Sequence, residues 1–239
     1  CKKDGETVFF FLMSEKVEKA LKEIENYCEK EGLAPEFVSL VASEMEYLKN
    51  RYKGATIVEN RDWSDYLYLT QDHANFAGRK FTTQRNHINK FLKNYENWEF
   101  KKIDETTLPQ VKEFYKDYEQ RFAKSELTAI EEQEKTNEVL NRYEDYGFIG
   151  YALYIEKKVV GFAIGEILKD TMFIHVEKAD KSKDGVNAML VMQFAKVFEG
   201  KVMYLNREED VGDMGLRYSK TKYRPIDMVY KYEVNFKKV

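Results

Sequence analysis

The sequence predicts an α/β (α+β) protein of two tandem lobes. Each is a mixed central sheet flanked by helices, and the first lobe is incomplete at its N-terminus. Three observations predict this. Between 148 and 236 the apolar pattern reads strand, strand, strand, helix, strand, helix, strand, with two helices just ahead. From Val8 onward the first part of the chain follows the same order, beginning at the fourth strand. The 239 residues are 43% hydrophobic and 15% aromatic, enough to build a packed core and too apolar for disorder. Only three prolines leave little room for linkers. The expected division is 1–100 for a partial N-terminal lobe and 101–239 for a C-terminal lobe, joined tightly between Trp98 and Thr106.

Residues 8–13 read as a buried strand. Val17, Ala20, Leu21, Ile24 and Cys28 recur at helical spacing, so 14–31 is an amphipathic helix capped by Ser14 and ended by Gly32. A short strand follows at 37–41. Ser43 and Glu46 then spell a capping box that opens a helix to about Lys49. Short strands are expected at 56–58 and 66–69. Phe81, Ile88, Phe91, Leu92 and Tyr95 mark one face of a helix over 79–94, and 99–103 is a strand.

Thr107 precedes Pro109 and starts a helix carrying Leu108, Val111, Phe114, Tyr115, Tyr118 and Phe122 at helical spacing. A very acidic helix runs over 127–146 and closes at Gly147. Strands at 148–155 and 159–167 flank a hairpin at Glu156, Lys157 and Lys158. Residues 171–178 alternate strictly: Met172, Ile174 and Val176 take one face, Thr171, Phe173, His175 and Glu177 the other. Val186, Met189, Leu190, Phe194 and Val197 give a helix ended by Gly200. A strand at 202–205, a short helix from Asp213 to about Lys222, and a strand at 228–236 complete the order.

The net charge of -3 gives no global attraction to nucleic acid or anionic membrane. Its distribution is uneven. Residues 104–145 hold twelve acids and six bases, 77–95 hold five bases and no acid, and 201–239 hold nine bases and six acids. A local basic surface is therefore expected on a mildly acidic protein. Cys1 and Cys28 make no metal spacing and no disulfide framework, which fits a reducing, cytoplasmic setting. No apolar run approaches the length of a membrane span. The chain begins with Cys1 and not Met, which leaves its true start open.

The order of elements in 148–236 resembles the acyltransferases of the GNAT fold. Three blocks of residues narrow the resemblance. The first is Gly78-Arg79-Lys80 followed by Gln84-Arg85-Asn86-His87-Ile88-Asn89-Lys90-Phe91. The second is Phe173-Ile174-His175-Val176-Glu177-Lys178-Ala179. The third is Asn206-Arg207-Glu208-Glu209-Asp210-Val211-Gly212, with Gly215-Leu216-Arg217 and Tyr223-Arg224-Pro225. Together they resemble a family of uncharacterised bacterial proteins similar to the C-terminal domain of phosphatidylglycerol lysyltransferase. The resemblance covers about 61–231. It implies a tandem GNAT-like fold and transfer of an aminoacyl group from charged tRNA to a lipid headgroup. That enzyme also carries a membrane-spanning half, which these 239 residues are not expected to include.

Four constellations carry candidate chemistry. Arg85, Asn86, Asn89 and Lys93 fan over one helix flank, either as an anion or headgroup clamp or as a structural joint held by Arg85. His175 and Glu177 share a face of the strand that parts from its neighbour in this fold. They are candidate catalytic groups, His175 as general base, or else His175 is a histidine hydrogen-bonded under a helix. Asn206, Arg207, Glu208, Glu209 and Asp210 follow the next strand. Glu208, Glu209 or Asp210 is expected to hold a substrate ammonium or accept its proton, with Glu209 and Asp210 the catalytic candidates. Asn206 and Arg207 are substrate-binding ones, and a solvated turn is the plain alternative. Arg217, Lys220 and Arg224 form a cationic stripe for a phosphate-bearing donor, or an ordinary exposed helix face. Tyr218 and Tyr223 are proton donors or core residues. Glu166 lies among apolar neighbours and needs a partner, expected to be Arg or Lys. Gly161, Ala163 and Gly165 share a face that a helix or ligand can approach closely. No metal is expected.

Coenzyme A users of the fold carry Arg/Gln-x-x-Gly-x-Gly/Ala before the next helix, where amides cradle the pyrophosphate. Here the stretch reads Asp180-Lys181-Ser182-Lys183-Asp184-Gly185-Val186-Asn187-Ala188, and only Gly185 fits. The expected function is a GNAT-like acyl or aminoacyl transferase. It would act from a phosphate-bearing donor, acyl-CoA or aminoacyl-tRNA, to an amine or hydroxyl on a small molecule or lipid headgroup. The alternatives are a non-catalytic binding module that keeps the cleft, and an acetyl-CoA-dependent N-acetyltransferase with a degenerate pyrophosphate loop. No cofactor is assigned, and tRNA is the candidate macromolecular partner.

Overall fold

The computed structural model describes residues 2–3, 6–11, 16–122 and 127–236. In chain order its elements are β1 (Lys2–Lys3), β2 (Glu6–Thr7), β3 (Phe9–Phe10), α1 (Val17–Glu31), β4 (Glu36–Leu40), α2 (Ala42–Arg51), β5 (Thr56–Leu69) and α3 (Thr70–Asn75). A 3-10 turn at Arg79–Phe81 leads into α4 (Thr82–Asn94), β6 (Trp98–Lys102), α5 (Leu108–Phe122), α6 (Leu127–Asn141) and α7 (Tyr143–Tyr146). The remainder is β7 (Ile149–Ile155), β8 (Lys158–Leu168), β9 (Thr171–Ala179), α8 (Val186–Phe198), β10 (Tyr204–Asn206), α9 (Met214–Lys222) and β11 (Asp227–Asn235). The fold is mixed α/β with the GNAT-like order. The backbone forms two compact units. One holds Cys1–Asp65, Glu209–Asp213 and Met228–Val239; the other holds Tyr66–Glu208 and Met214–Asp227.

In the first unit β3 runs parallel to β4 and β4 antiparallel to β11, with Phe9 beside Phe37 and Tyr232 beside Leu40. Phe11, Leu21, Phe37, Leu40, Leu48 and Val234 make its core. Gly32 ends α1 at φ 67, and Leu33 N bonds Cys28 O at 2.8 Å, a left-handed helix stop. The expected Ser14 cap, and Leu12 and Met13 of the first strand, lie outside the described residues, as does Cys1. The expected capping box at Ser43 does not form. Helix α2 starts earlier, because Val41 N donates to Glu44 Oε2 at 3.0 Å.

The two short strands expected at 56–58 and 66–69 are a single strand, β5. Its polar middle reads as loop in sequence, yet cross-strand side chains hold it. Asn60 Nδ2 donates to Glu233 Oε1 at 2.7 Å, and Lys231 Nζ meets Asp65 Oδ2 at 3.1 Å. Helix α3 was not foreseen, and the acidic helix is broken at Arg142 into α6 and α7.

The second unit orders its strands β10-β9-β8-β7-β6, with the end of β5 on the other side of β10. Glu156 and Lys157 both have positive φ (50° and 66°), so β7 and β8 are joined by a two-residue turn whose twist suits a hairpin. Val111, Phe114 and Tyr115 of α5 pack on Phe162, Ile164 and Val176. Helix α8 covers the opposite face, where Phe194 meets the Tyr151 ring edge-on at 6.2 Å.

One irregularity positions the site. Ile164 pairs with Val176 but Gly165 pairs with Ile174, so β9 carries an extra residue, His175. Such a bulge re-aims the side chain it inserts. Gly165 makes it possible, because a Cβ there would sit 1.9 Å from Phe173 O. Gly165→Ala is expected to cost about 1–3 kcal/mol, the usual range for overpacking. An unchanged urea midpoint would contradict that constraint.

Candidate functional site

Strands β9 and β10 are parallel partners over three residues only, Tyr204 with Thr171, Leu205 with Met172 and Asn206 with Phe173. Beyond Phe173, β9 continues to Ala179 while the other chain stays with β5. Arg207 N donates to Tyr66 O and Tyr66 N to Glu208 O, each at 3.1 Å. The sheet therefore forks, and side chains bridge the gap.

The turn beyond β10 is built to aim two of them. Asn206 is buried, and its Oδ1 accepts from Glu208 N at 2.8 Å. Glu208 takes φ 55, the left-handed region that few non-glycine residues adopt. Lys220 Nζ, on α9, donates to Arg207 O at 2.5 Å and Glu208 O at 3.1 Å. Tyr68 Oη in turn donates to Lys220 O at 2.9 Å. Lys220 is only 9% exposed, so the middle member of the expected cationic stripe of Arg217, Lys220 and Arg224 turns inward, because two carbonyls need a donor.

Arg207 reaches across the fork. Its Nη2 bonds Glu177 Oε1 at 2.6 Å, and its guanidinium stacks over the rings of Tyr223 (4.7 Å) and Tyr68 (5.5 Å). Burial opposes its charge, but Glu177 and the two phenols outweigh that and raise its pKa. Its Nη1 is buried and has no partner among the described residues. A buried cationic donor left unmade costs free energy.

His175 sits between two carboxylates. Its Nδ1 is 2.7 Å from Glu208 Oε1 and its Nε2 is 3.1 Å from Glu166 Oε1. The Phe148 ring covers it at 5.2 Å. The Glu208 hydrogen bond raises its pKa, burial works against this, and Glu166 adds to the rise. The partner of Glu166 is therefore His175 and not the expected Arg or Lys, since the bulge brings the ring to it.

Arg85 Nη1 donates to the carbonyls of Phe76 (2.6 Å) and Gly78 (2.5 Å), tying down its own approach to α4. Asn86 and Asn89 are exposed on α4. Asp210, fully buried in the first unit, meets Arg61 Nη1 at 3.4 Å and accepts from Gly212 N at 3.0 Å. Glu209 is half-buried there. Arg217 is half-buried on α9 and Arg224 exposed after it. Tyr218 is exposed, not core, while Tyr223 is buried and donates to Asn187 Oδ1 at 2.8 Å. No group of three His, Cys, Asp or Glu among the described residues is placed to hold a metal.

Sequence reasoning missed His73. It is fully buried, its Nε2 lies 3.2 Å from Tyr223 O, and burial drives its pKa down to about 3. The only sequence signal was its place beside an aromatic run, which no motif marks.

At the turn before α8, Gly185 has φ 76, and a Cβ on it would lie 2.2 Å from His87 O of α4. Asp184 pairs with Lys90 at 2.8 Å, and Asp180 Oδ1 accepts from Ser182 N at 3.0 Å. The turn is thus packed against α4 at Gly185 and braced by side-chain bonds of its own.

The profile of the family described as phosphatidylglycerol lysyltransferase, C-terminal, matches residues 1–235. A conserved protein of unknown function from Bacteroides thetaiotaomicron superposes with a TM-score of 0.82 at 28% identity, covering 92% of this chain and 76% of that one. The structure of L-PGS from Bacillus licheniformis gives 0.65 at 16% identity, covering 95% and 75%, a likeness of fold. An uncharacterized protein of Mycoplasmoides gallisepticum is 27% identical over 201 residues, 82% of this chain and 63% of that relative's length. Family and fold together fit a GNAT-like acyltransferase. No helix among the described residues is long and apolar enough to cross a membrane.

Two predictions follow from this geometry. Lys220→Met removes a charged donor from two carbonyls and is expected to cost about 2–3 kcal/mol in urea unfolding; an unchanged midpoint would show that the turn holds itself. His73 has a folded pKa below that of a free imidazole, so the unfolded chain binds the proton first as pH falls. Its contribution to stability is whole above about pH 6.5 and declines towards pH 3. His73→Gln is expected to flatten the fall in unfolding free energy over that interval, and an unaltered slope would refute the assignment.

Proposed function

We propose, from the premise that this chain belongs to the phosphatidylglycerol lysyltransferase C-terminal family, that it transfers an aminoacyl group from aminoacyl-tRNA to an amine or hydroxyl. The acceptor is a small molecule or a lipid headgroup. The observation that carries this reading is the buried Nη1 of Arg207 at the fork, which has no hydrogen-bond partner among the described residues. An acyl carbonyl oxygen lying there would meet a cationic donor already in position, and one whose bond strengthens as the oxygen becomes an oxyanion. Glu177 and the Tyr68 and Tyr223 rings orient that donor; His175 and Glu208 carry protons. Arg217 and Arg224, on and after α9, are assigned to donor phosphates. The crowded turn at Gly185 weighs against acetyl-CoA as the donor.

A second reading is a binding module that keeps the cleft without turnover. It is favoured by the ion pairs that already bridge the fork, since His175–Glu208 and Arg207–Glu177 satisfy much of it without a substrate.

Titration with aminoacyl-tRNA and with acetyl-CoA, each followed by assay of product on amine and hydroxyl acceptors, separates these readings. Binding and product with aminoacyl-tRNA are expected. Binding without product favours the module, and tight acetyl-CoA binding overturns the donor assignment. His175→Ala is expected to lower transfer by about 10²–10⁴-fold with the melting midpoint retained. Full activity in that variant would remove His175 from the chemistry.

A further inference from the structure

We propose that Glu166 is a positioning residue. Together with Glu208 it holds His175 as an imidazolium, so that His175 gives a proton to the leaving group instead of taking one from the acceptor. This rests on the reading of the fork as a transferase site.

A neutral imidazole has one N–H and one lone pair, whereas an ionised carboxylate only accepts. Both ring nitrogens of His175 face carboxylate oxygens, at 2.7 Å and 3.1 Å. A neutral ring would set its lone pair against one of them. With both nitrogens protonated, each contact becomes a charge-assisted bond. The raised pKa of His175 agrees with this geometry.

The arrangement is built in, not a chance meeting of long side chains. The β9 bulge inserts His175, and Glu166 on β8 pairs with Phe173 beside it. Glu208 is held by Lys220, Asn206 and Tyr66 in a left-handed conformation. The groups that face the ring are Glu166 from β8, Glu208 from the turn and Phe148 ahead of β7. Next along its own strand, Glu177 is neutralised by Arg207. The side chains of His175, Glu166 and Glu208 keep 25%, 40% and 36% exposure, so a substrate can reach them.

The protons balance. Attack forms a bond from the acceptor nitrogen or oxygen to the acyl carbon, and the ester bond from that carbon to the donor's ribose oxygen breaks. The acceptor's proton passes to the Glu208 carboxylate, and the His175 Nδ1 proton passes to the leaving oxygen. Glu208 then returns its proton to His175 across their contact. The acceptor proton ends, in net, on the released hydroxyl. Glu166 touches no reacting atom; it keeps the ring charged while it waits.

The test is an NMR titration of the His175 ring in the wild type, in Glu166→Gln and in Glu166→Asp. The wild-type ring is expected to titrate above the ordinary imidazole value. Glu166→Gln keeps the size of the side chain and removes its charge, and is expected to move the titration down. Glu166→Asp, which retains charge, should move it less. The alkaline limb of the transfer–pH profile should descend in Glu166→Gln by the same interval as the ring titration. A wild-type ring titrating at the ordinary value, or one unmoved in Glu166→Gln, overturns the proposal, as does a pH profile that stays put while the ring shifts. The titration needs no turnover. Absence of transfer from every donor, with the ring shifting as stated, therefore falls on the proposed function and not on the clamp.

Discussion

One ammonium fixes the geometry of the site. Lys220 Nζ donates to the carbonyls of Arg207 and Glu208, and it does so from a buried position on α9 over the ring of Tyr66. A buried cation needs partners, and two consecutive carbonyls supply them. The carbonyls in turn are obliged to face Lys220, which throws the side chains of Arg207 and Glu208 the other way, towards β9. The left-handed backbone of Glu208 is a strained state for a residue with a side chain. It persists because Asn206, Tyr66 and Lys220 each hold the turn. Functional groups kept this way lose little freedom when a substrate arrives.

The consequence is a charged bridge across the forked strands. The Arg207–Glu177 pair is nearly out of solvent, with side-chain exposures of 10% and 16%. Desolvation makes such pairs poor sources of stability, so its position is better explained by orientation than by binding energy within the fold. Its second amino group has no partner among the described residues. The neighbouring His175 has the opposite arrangement, with both nitrogens used and the ring open on one side. Under the proposed transferase reading one group offers a fixed positive donor and the other a held proton, and acyl transfer asks for both at a single carbon.

Much of this was legible in the sequence, for identifiable reasons. Strict alternation over 171–178 puts His175 and Glu177 on one face, and in the structure each meets a residue just beyond β10, Glu208 and Arg207 respectively. The need of Glu166 for a partner followed from its apolar neighbours, although its partner did not. Pairing depends on the bulge, and a bulge is one residue of register that no periodicity reveals. Lys220 looked like one of three cations on a helix face because spacing alone cannot say which face is buried in a short polar helix. Asp210 and Glu208 stand two apart in one acidic run, yet Asp210 bonds Arg61 and Gly212 while Glu208 meets His175. Only the turn separates them. The long strand β5 was missed because cross-strand polar pairs, not apolar alternation, hold its middle.

The central claim is that the fork receives the acyl end of the donor at Arg207 and His175. The most direct measurement is an NMR titration of the side-chain signals of these two residues with a non-hydrolysable amide analogue of an aminoacyl-adenosine. The account predicts saturable shifts of the Arg207 guanidinium and the His175 ring together, with one common affinity. Saturable binding that leaves both sets of signals in place, with shifts elsewhere in the chain, would contradict it.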